Sequence, residues 1–151
     1  MTQGEDECRI VEVTRRPIAM IRESVPMAEI PQAQRRLRAR LKAALPELGA
    51  GPYGEWLTLW RPPVDGMMDI APGVPCAHGS EGRDGIEAAE LPVGRAAHVV
   101  LIGGYEGVPG AWVKLFRWCN AKGEKLEGVN WEIYHEEGGK EPRTEFYALL
   151  A

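Results

Sequence analysis

The sequence predicts an α+β fold: duplicated strand-helix-strand-strand modules forming an antiparallel sheet, with two helices on one side and a cleft between the halves. Two observations predict it. The order of strand-like and helix-like runs recurs along the chain, and landmarks repeat at about half its length. Pro17 and Pro92 stand 75 residues apart, as do Trp56 and Trp131; each proline lies just before a strand and each tryptophan opens one. A single domain over residues 1–151 follows, with pseudo-repeat halves at about 8–75 and 86–151. That length buries one sizeable core.

The first module begins after Met1–Glu7, an acidic and polar stretch that reads as a frayed start. Apolar residues alternating with polar ones give strands over Cys8 to Val13 and Ile18 to Val25. From Ile30 onward Gln34, Leu37, Leu41, Leu45 and Leu48 recur at three- and four-residue intervals. Pro31 suits a first turn, so this is an amphipathic helix ending near Pro46 and Gly49. After the Gly49-Ala50-Gly51-Pro52 break, strands Trp56 to Trp60 and Met67 to Ala71 are joined by the turn-forming Arg61–Gly66. A Gly-rich loop from Ala77 to Gly85 follows. The order then returns: strands Ile86 to Leu91 and Ala96 to Ile102, a helix from about Val108 to Ala121, and strands Val129 to His135 and Arg143 to Leu150. Val108, Trp112, Leu115 and Cys119 form the apolar stripe of the second helix.

Composition narrows the function classes. Eighteen Lys plus Arg against 22 Asp plus Glu give a formal net charge of −4, which argues against a nucleic-acid binder. Arg35, Arg36, Arg38, Arg40 and Lys42 are a basic run, but they spread around a helix beside an apolar stripe and read as a solvated face. No apolar run approaches the roughly 20 residues of a membrane span, so the chain is expected to be cytoplasmic, with no membrane partner. Three cysteines at wide spacing do not make a disulfide framework. Cys76 and His78 lack a second ligand pair at zinc spacing, so neither metal nor cofactor is expected.

The candidate site is the strand Trp131-Glu132-Ile133-Tyr134-His135. Alternation turns Glu132 and Tyr134 to one face and Trp131 and Ile133 to the other, placing a carboxylate among aromatic surfaces. Such a pairing suits a flat organic cation, because charge attracts it while rings supply apolar area and cation–π contact. A hairpin around Glu137 to Pro142 would set Glu132 near Tyr147 and Tyr134 near Glu145, so Glu132, Tyr134 and Tyr147 would share a face. Trp60 and Trp112 are the large residues expected to approach it, whereas Trp118 and Trp131 read as core. A buried carboxylate wants a partner; a cationic ligand is one candidate, and Arg95 or Arg143 is another.

These residues carry a family resemblance. Leu91-Pro92-Val93-Gly94-Arg95-Ala96-Ala97 looks like a Leu-Pro-Ala-Gly segment, and Gly103-Gly104-Tyr105-Glu106-Gly107-Val108 like a Gly-Pro-Tyr-Glu-x-Leu helix start with Gly104 in place of proline. Trp131–Tyr134 looks like a Glu-x-Tyr strand, and Thr144-Glu145-Phe146-Tyr147 like a closing strand. In this order they resemble the GyrI-like small-molecule-binding domain, also seen as the effector-binding domain of AraC-type and MerR-type multidrug-responsive activators. The resemblance implies a pocket for bulky aromatic cations with Glu132 at its floor and Tyr134 and Tyr147 in its lining. The helix-turn-helix of the regulators has no counterpart here, which implies a stand-alone form without a nucleic-acid partner. Three functions follow as expectations. One is capture of hydrophobic, often cationic aromatic ligands through Glu132, Tyr134, Tyr147, Trp60, Trp112 and Tyr105. Another is hydrolysis of reactive cyclopropane-type natural products, with Glu132 as acid or base and Tyr134 or Tyr105 on the reacting oxygen. The third is a protein-interaction role such as gyrase inhibition.

Overall fold

Apolar alternation and helical periodicity both become regular structure. A computed structural model of the chain describes residues 7–136 and 141–151; Met1–Asp6 and Glu137–Lys140, part of the turn expected at Glu137 to Pro142, lie outside the described residues. In chain order the elements are β1 (Arg9–Val13), β2 (Arg16–Ile21), β3 (Glu23–Pro26), α1 (Ile30–Leu48), β4 (Leu57–Trp60), β5 (Met67–Pro75), β6 (Ile86–Leu91), β7 (Gly94–Ile102), α2 (Val108–Ala121), β8 (Leu126–His135) and β9 (Arg143–Leu150). A 3₁₀ turn precedes each helix, at Met27–Glu29 and Tyr105–Gly107. Among the described residues no helix is long and apolar enough to cross a membrane.

The chain forms two compact units, residues 15–92 and the remainder, in which residues up to 14 join 93–151. In the first, β4, β5, β2 and β6 pair antiparallel in that order, and β3 also pairs with β5. The strand expected over Ile18 to Val25 is divided at Arg22, whose guanidinium Nη1 bonds Asp69 of β5 at 2.8 Å. The strand expected to end at Ala71 continues to Pro75, buried from Ile70 onward between β4 and β2. Helix α1 buries Ala33, Leu37 and Leu41 against Ala19, Ile21, Val25, Ile70 and Val74. Gly49, at φ 62°, ends it in the left-handed conformation that a glycine adopts without Cβ strain. Three of its basic residues are engaged locally: Arg36 pairs with Glu23, Arg38 lies 5.6 Å from the Trp56 ring centroid, and Arg40 donates to the Asp84 carbonyl at 2.6 Å.

In the second unit β1, β7, β9 and β8 pair antiparallel in that order. Helix α2 seats Leu115 and Cys119, with Ala111, Trp112 and Phe116 beside them, on Ala97, Val99, Phe146, Ala148 and Leu150. The outer strands are exchanged: β1 runs into β2 but pairs with β7, while β6 runs into β7 but pairs with β2.

The duplication is real, and its register differs from the landmarks at 75 residues. Through the leading strands and helices the offset is 78, pairing Ala19 with Ala97, Ile21 with Val99, Pro31 with Pro109, Ala33 with Ala111, and Leu37 with Leu115. Through the hairpins it is 74: Thr58 opposite Pro72 corresponds to Glu132 opposite Phe146, and Trp60 opposite Ile70 to Tyr134 opposite Thr144. Trp56 is therefore not the counterpart of Trp131. It packs with the α1 cluster, whereas Trp131 stacks on Tyr147, away from the cluster beneath α2.

Candidate functional site

Strand β8 lies at the end of the second unit's sheet order and its alternation turns Asn130, Glu132 and Tyr134 toward α2. Glu132 is 2% exposed. Its Oε2 accepts from Trp112 Nε1 and its Oε1 from the Tyr134 hydroxyl, each at 2.5 Å. Pro109 in the first turn of α2 sets where the helix begins, and Trp112 sits one turn further on, facing the sheet. Its indole stacks on Phe116, four residues along, at 5.3 Å and meets Phe146 edge-on at 5.1 Å. Tyr105, from the 3₁₀ turn, meets Tyr134 edge-on at 6.0 Å, is 42% exposed, and donates to Glu136 at 2.6 Å. A carboxylate is thus held by two aromatic donors inside a wall of rings.

Of the residues expected at the site, Glu132, Tyr134, Trp112 and Tyr105 come together. Tyr147 does not. The observed register sets Glu132 opposite Phe146 and Tyr134 opposite Thr144, one residue from the expected pairing, and with a side-chain period of two that slip moves Tyr147 to the other face. Trp60 belongs to the other unit, on β4, packed against the α1 cluster. Arg95 pairs with Glu124 at 2.9 Å. Sequence reading missed Phe116 and Phe146; the four-residue spacing from Trp112 was a usable signal for Phe116.

The face carrying Tyr147 holds a second polar group that sequence reading did not assemble. Glu145 Oε1 bonds His98 Nε2 at 3.0 Å and accepts from the Tyr147 hydroxyl at 3.0 Å, while its Oε2 bonds His135 Nε2 at 2.6 Å. The hydrogen bond from His98, aided by those from His135 and Tyr147, holds the Glu145 carboxyl down to about 2 against the cost of burial. Burial first, and then the Glu145 charge, pushes the Tyr147 phenol up. Tyr147 also stacks on Trp131 with ring planes 8° apart.

A family model for the GyrI-like small molecule binding domain matches residues 6–150. The chain belongs to the GyrI-like family. Solved structures share the fold at low identity. The EcmrR C-terminal domain is similar with TM-score 0.78 and 14% identity, covering 97% of this chain and 98% of that one. SAV2435 bound to tetraphenylphosphonium gives 0.69 and 13%, covering 96% and 94%. A hydrolase encoded by lin2189 from Listeria innocua gives 0.64 and 8%, covering 97% and 93%. No curated protein matches the chain.

Proposed function

We propose that this GyrI-like domain captures bulky hydrophobic, cationic aromatic molecules, with Glu132 as the charge-selecting group and Trp112, Tyr134 and Tyr105 as the aromatic surface around it. The observation that carries the reading is a carboxylate, 2% exposed, held by an indole and a phenol in an otherwise aromatic setting. Ionised, that carboxylate favours a delocalised cation, whose diffuse charge is cheap to desolvate and whose rings match the walls. Stacking tolerates varied shapes, so breadth follows from the same residues. The structural similarity to a tetraphenylphosphonium-bound protein supports this ligand class.

The test is titration with tetraphenylphosphonium and with a neutral ligand of matching bulk, for wild type and Glu132→Gln. Gln is nearly isosteric: its carbonyl can accept from Trp112 and its amide can donate to the Tyr134 oxygen, so the fold is retained. Loss of a charge-assisted interaction weakens the cation about 10- to 100-fold and spares the neutral compound. Equal weakening of both, or none, sinks the reading. A hydrolytic reading is favoured by the likeness to the Listeria innocua hydrolase and by the Tyr134 hydroxyl bonded to Glu132, a phenol–carboxylate pair able to move a proton. Recovery of water-adducted product from a strained electrophile would establish it.

A further inference from the structure

The face of the second unit's sheet turned away from α2 carries a row of side chains set by strand register. Arg9 of β1 stands opposite His98 of β7, His98 opposite Tyr147 of β9, and Tyr147 opposite Trp131 of β8. Directly opposite residues of antiparallel strands share a face, so the four side chains form one line across four strands. The Tyr147 ring lies between Trp131, with centroids 5.1 Å apart, and the His98 imidazole, at 4.7 Å. His98 sits near the centre of the row and is 2% exposed.

The partners of His98 fix where its proton lies. Nε2 faces the ionised Glu145 carboxylate at 3.0 Å and so carries the proton, while Nδ1 accepts from Arg9 Nε at 3.4 Å and so is bare. Among the described residues of this unit, the other titratable or charged groups on this face are His135 from β8, bonded to the same carboxylate, and Tyr147 from β9, with Arg143 of β9 acting on its phenol. A second proton on the imidazole goes to Nδ1, where it meets the Arg9 Nε–H donor against donor and cation against cation. Its remaining neighbours favour the imidazolium: the Glu145 bond becomes charge-assisted at both ends, and the Tyr147 ring takes a cation–π contact. His98 is enclosed on those sides, whereas Arg9 is exposed and is the first residue of a five-residue edge strand. Arg9 is therefore the group that yields.

We propose that Arg9 and His98 form an acid-sensitive clasp: protonation of His98 Nδ1 expels the Arg9 guanidinium, loosens β1 from β7 and bares the edge of β7. The clasp goes beyond the Glu132 reading and does not rest on it. Imidazoles in water titrate near pH 6.5, so the device works above the range in which Glu145 takes up its own proton, and that carboxylate stays charged while the clasp opens. Strand β7, which β1 otherwise covers, then presents unpaired backbone groups, as any sheet edge does.

The experiment uses ¹⁵N-labelled full-length wild type. Long-range proton–nitrogen spectra of the imidazoles report the tautomer and charge of His98, and amide exchange in the same samples, expressed as protection factors so that the intrinsic pH dependence cancels, reports on β1. At high pH His98 is the neutral Nε2–H tautomer. As pH falls through the imidazole range, Nδ1 takes up a proton and protection of the Arg9–Val13 amides drops about three- to tenfold along the same curve, the worth of one hydrogen bond, while Phe146 and Ala148 in β9 keep theirs. His98→Gln keeps a donor toward Glu145 and does not titrate, so its β1 protection stays level across that range. Arg9→Met removes the opposing cation, so His98 takes up its proton at a higher pH than in wild type and β1 protection no longer follows it. A His98 that remains neutral through the imidazole range, one that titrates with β1 protection unchanged, or an equal drop in His98→Gln overturns the proposal.

Discussion

At the scale of single residues, the second unit carries two hydrogen-bonded carboxylates in contrasting settings, Glu132 buried and Glu145 half-buried. Glu132 is held by an indole and a phenol, whereas Glu145 is bonded by two imidazoles and a phenol. The contrast assigns them different work. Glu145, with both oxygens already engaged by His98, His135 and Tyr147, ties three strands of one sheet together, and its ionised form is favoured by folding. A carboxyl held near 2 in the folded state and titrating near 4.5 in the unfolded chain contributes stability that is fully present above pH 4.5 and lost as pH falls from 4.5 toward 2. Glu145→Gln should therefore lower the urea midpoint at pH 6 and flatten its decline across that acid window. Urea titrations at several pH values check this; a variant whose midpoint still falls as steeply as wild type between pH 4.5 and 2 would show that another carboxyl governs acid sensitivity. Tyr147 owes its place to this network. In the sequence it sits in a run resembling a pocket-lining strand, and nothing local distinguishes the two faces.

At the scale of elements, what the sequence made legible was periodicity, and what it hid was register. Helix α2 occupies the expected Val108–Ala121, and α1 ends at Gly49, because three- and four-residue spacing with Pro and Gly punctuation is local information. Glu132 and Tyr134 share a face for the same local reason. Strand pairing depends on partners far away: β1 meets β7 across most of the chain, and the β8–β9 register turns on a loop length that alternation cannot fix. The division of β2 from β3 is equally non-local, since both strands pair with β5, on either side of Ala71 and Pro72, and a proline has no N–H to give to the ladder. Close approach of strands also leaves a mark at single glycines. A Cβ at Gly73, the β5 residue paired with both Leu57 and Met20, would stand 2.7 Å from the Ala19 carbonyl oxygen and 3.0 Å from Met20 Cβ. Gly73→Ala must push β2 away from β5 and should cost about 1–3 kcal/mol, as overpacking does. Gly79→Ala meets nothing within 4 Å and should leave stability unchanged or slightly raised. Thermal melts of the two variants compare them directly, and equal melting temperatures would mean that β2 accommodates the methyl without strain.

At the scale of the whole chain, the exchange of outer strands makes the two units unequal in how they depend on each other. Residues 15–92 are continuous in sequence, whereas the other unit is assembled from residues on either side of them. Pairing of β1 with β7 closes a loop that contains the entire first unit. While that unit is folded, the loop is an ordered body and closure costs little. Once it unfolds, β1 and β7 are joined by roughly 80 disordered residues, and holding them together costs about 4 kcal/mol of chain entropy. β1 is five residues long and forms the edge of its sheet, so it has little pairing of its own to set against that cost. Damage to the first core should therefore be felt at β1 without any contact. Leu37 is 1% exposed in the α1 cluster, and Leu37→Ala should destabilise the first unit by about 2–5 kcal/mol. Native-state hydrogen exchange provides the measurement. The amides of Arg9–Val13 should lose protection together with those of β2 and β5, while the α2 amides from Leu115 to Cys119 keep theirs. Retention of β1 protection in that variant would show that the β1–β7 ladder survives loss of the first unit and that loop closure does not couple the two.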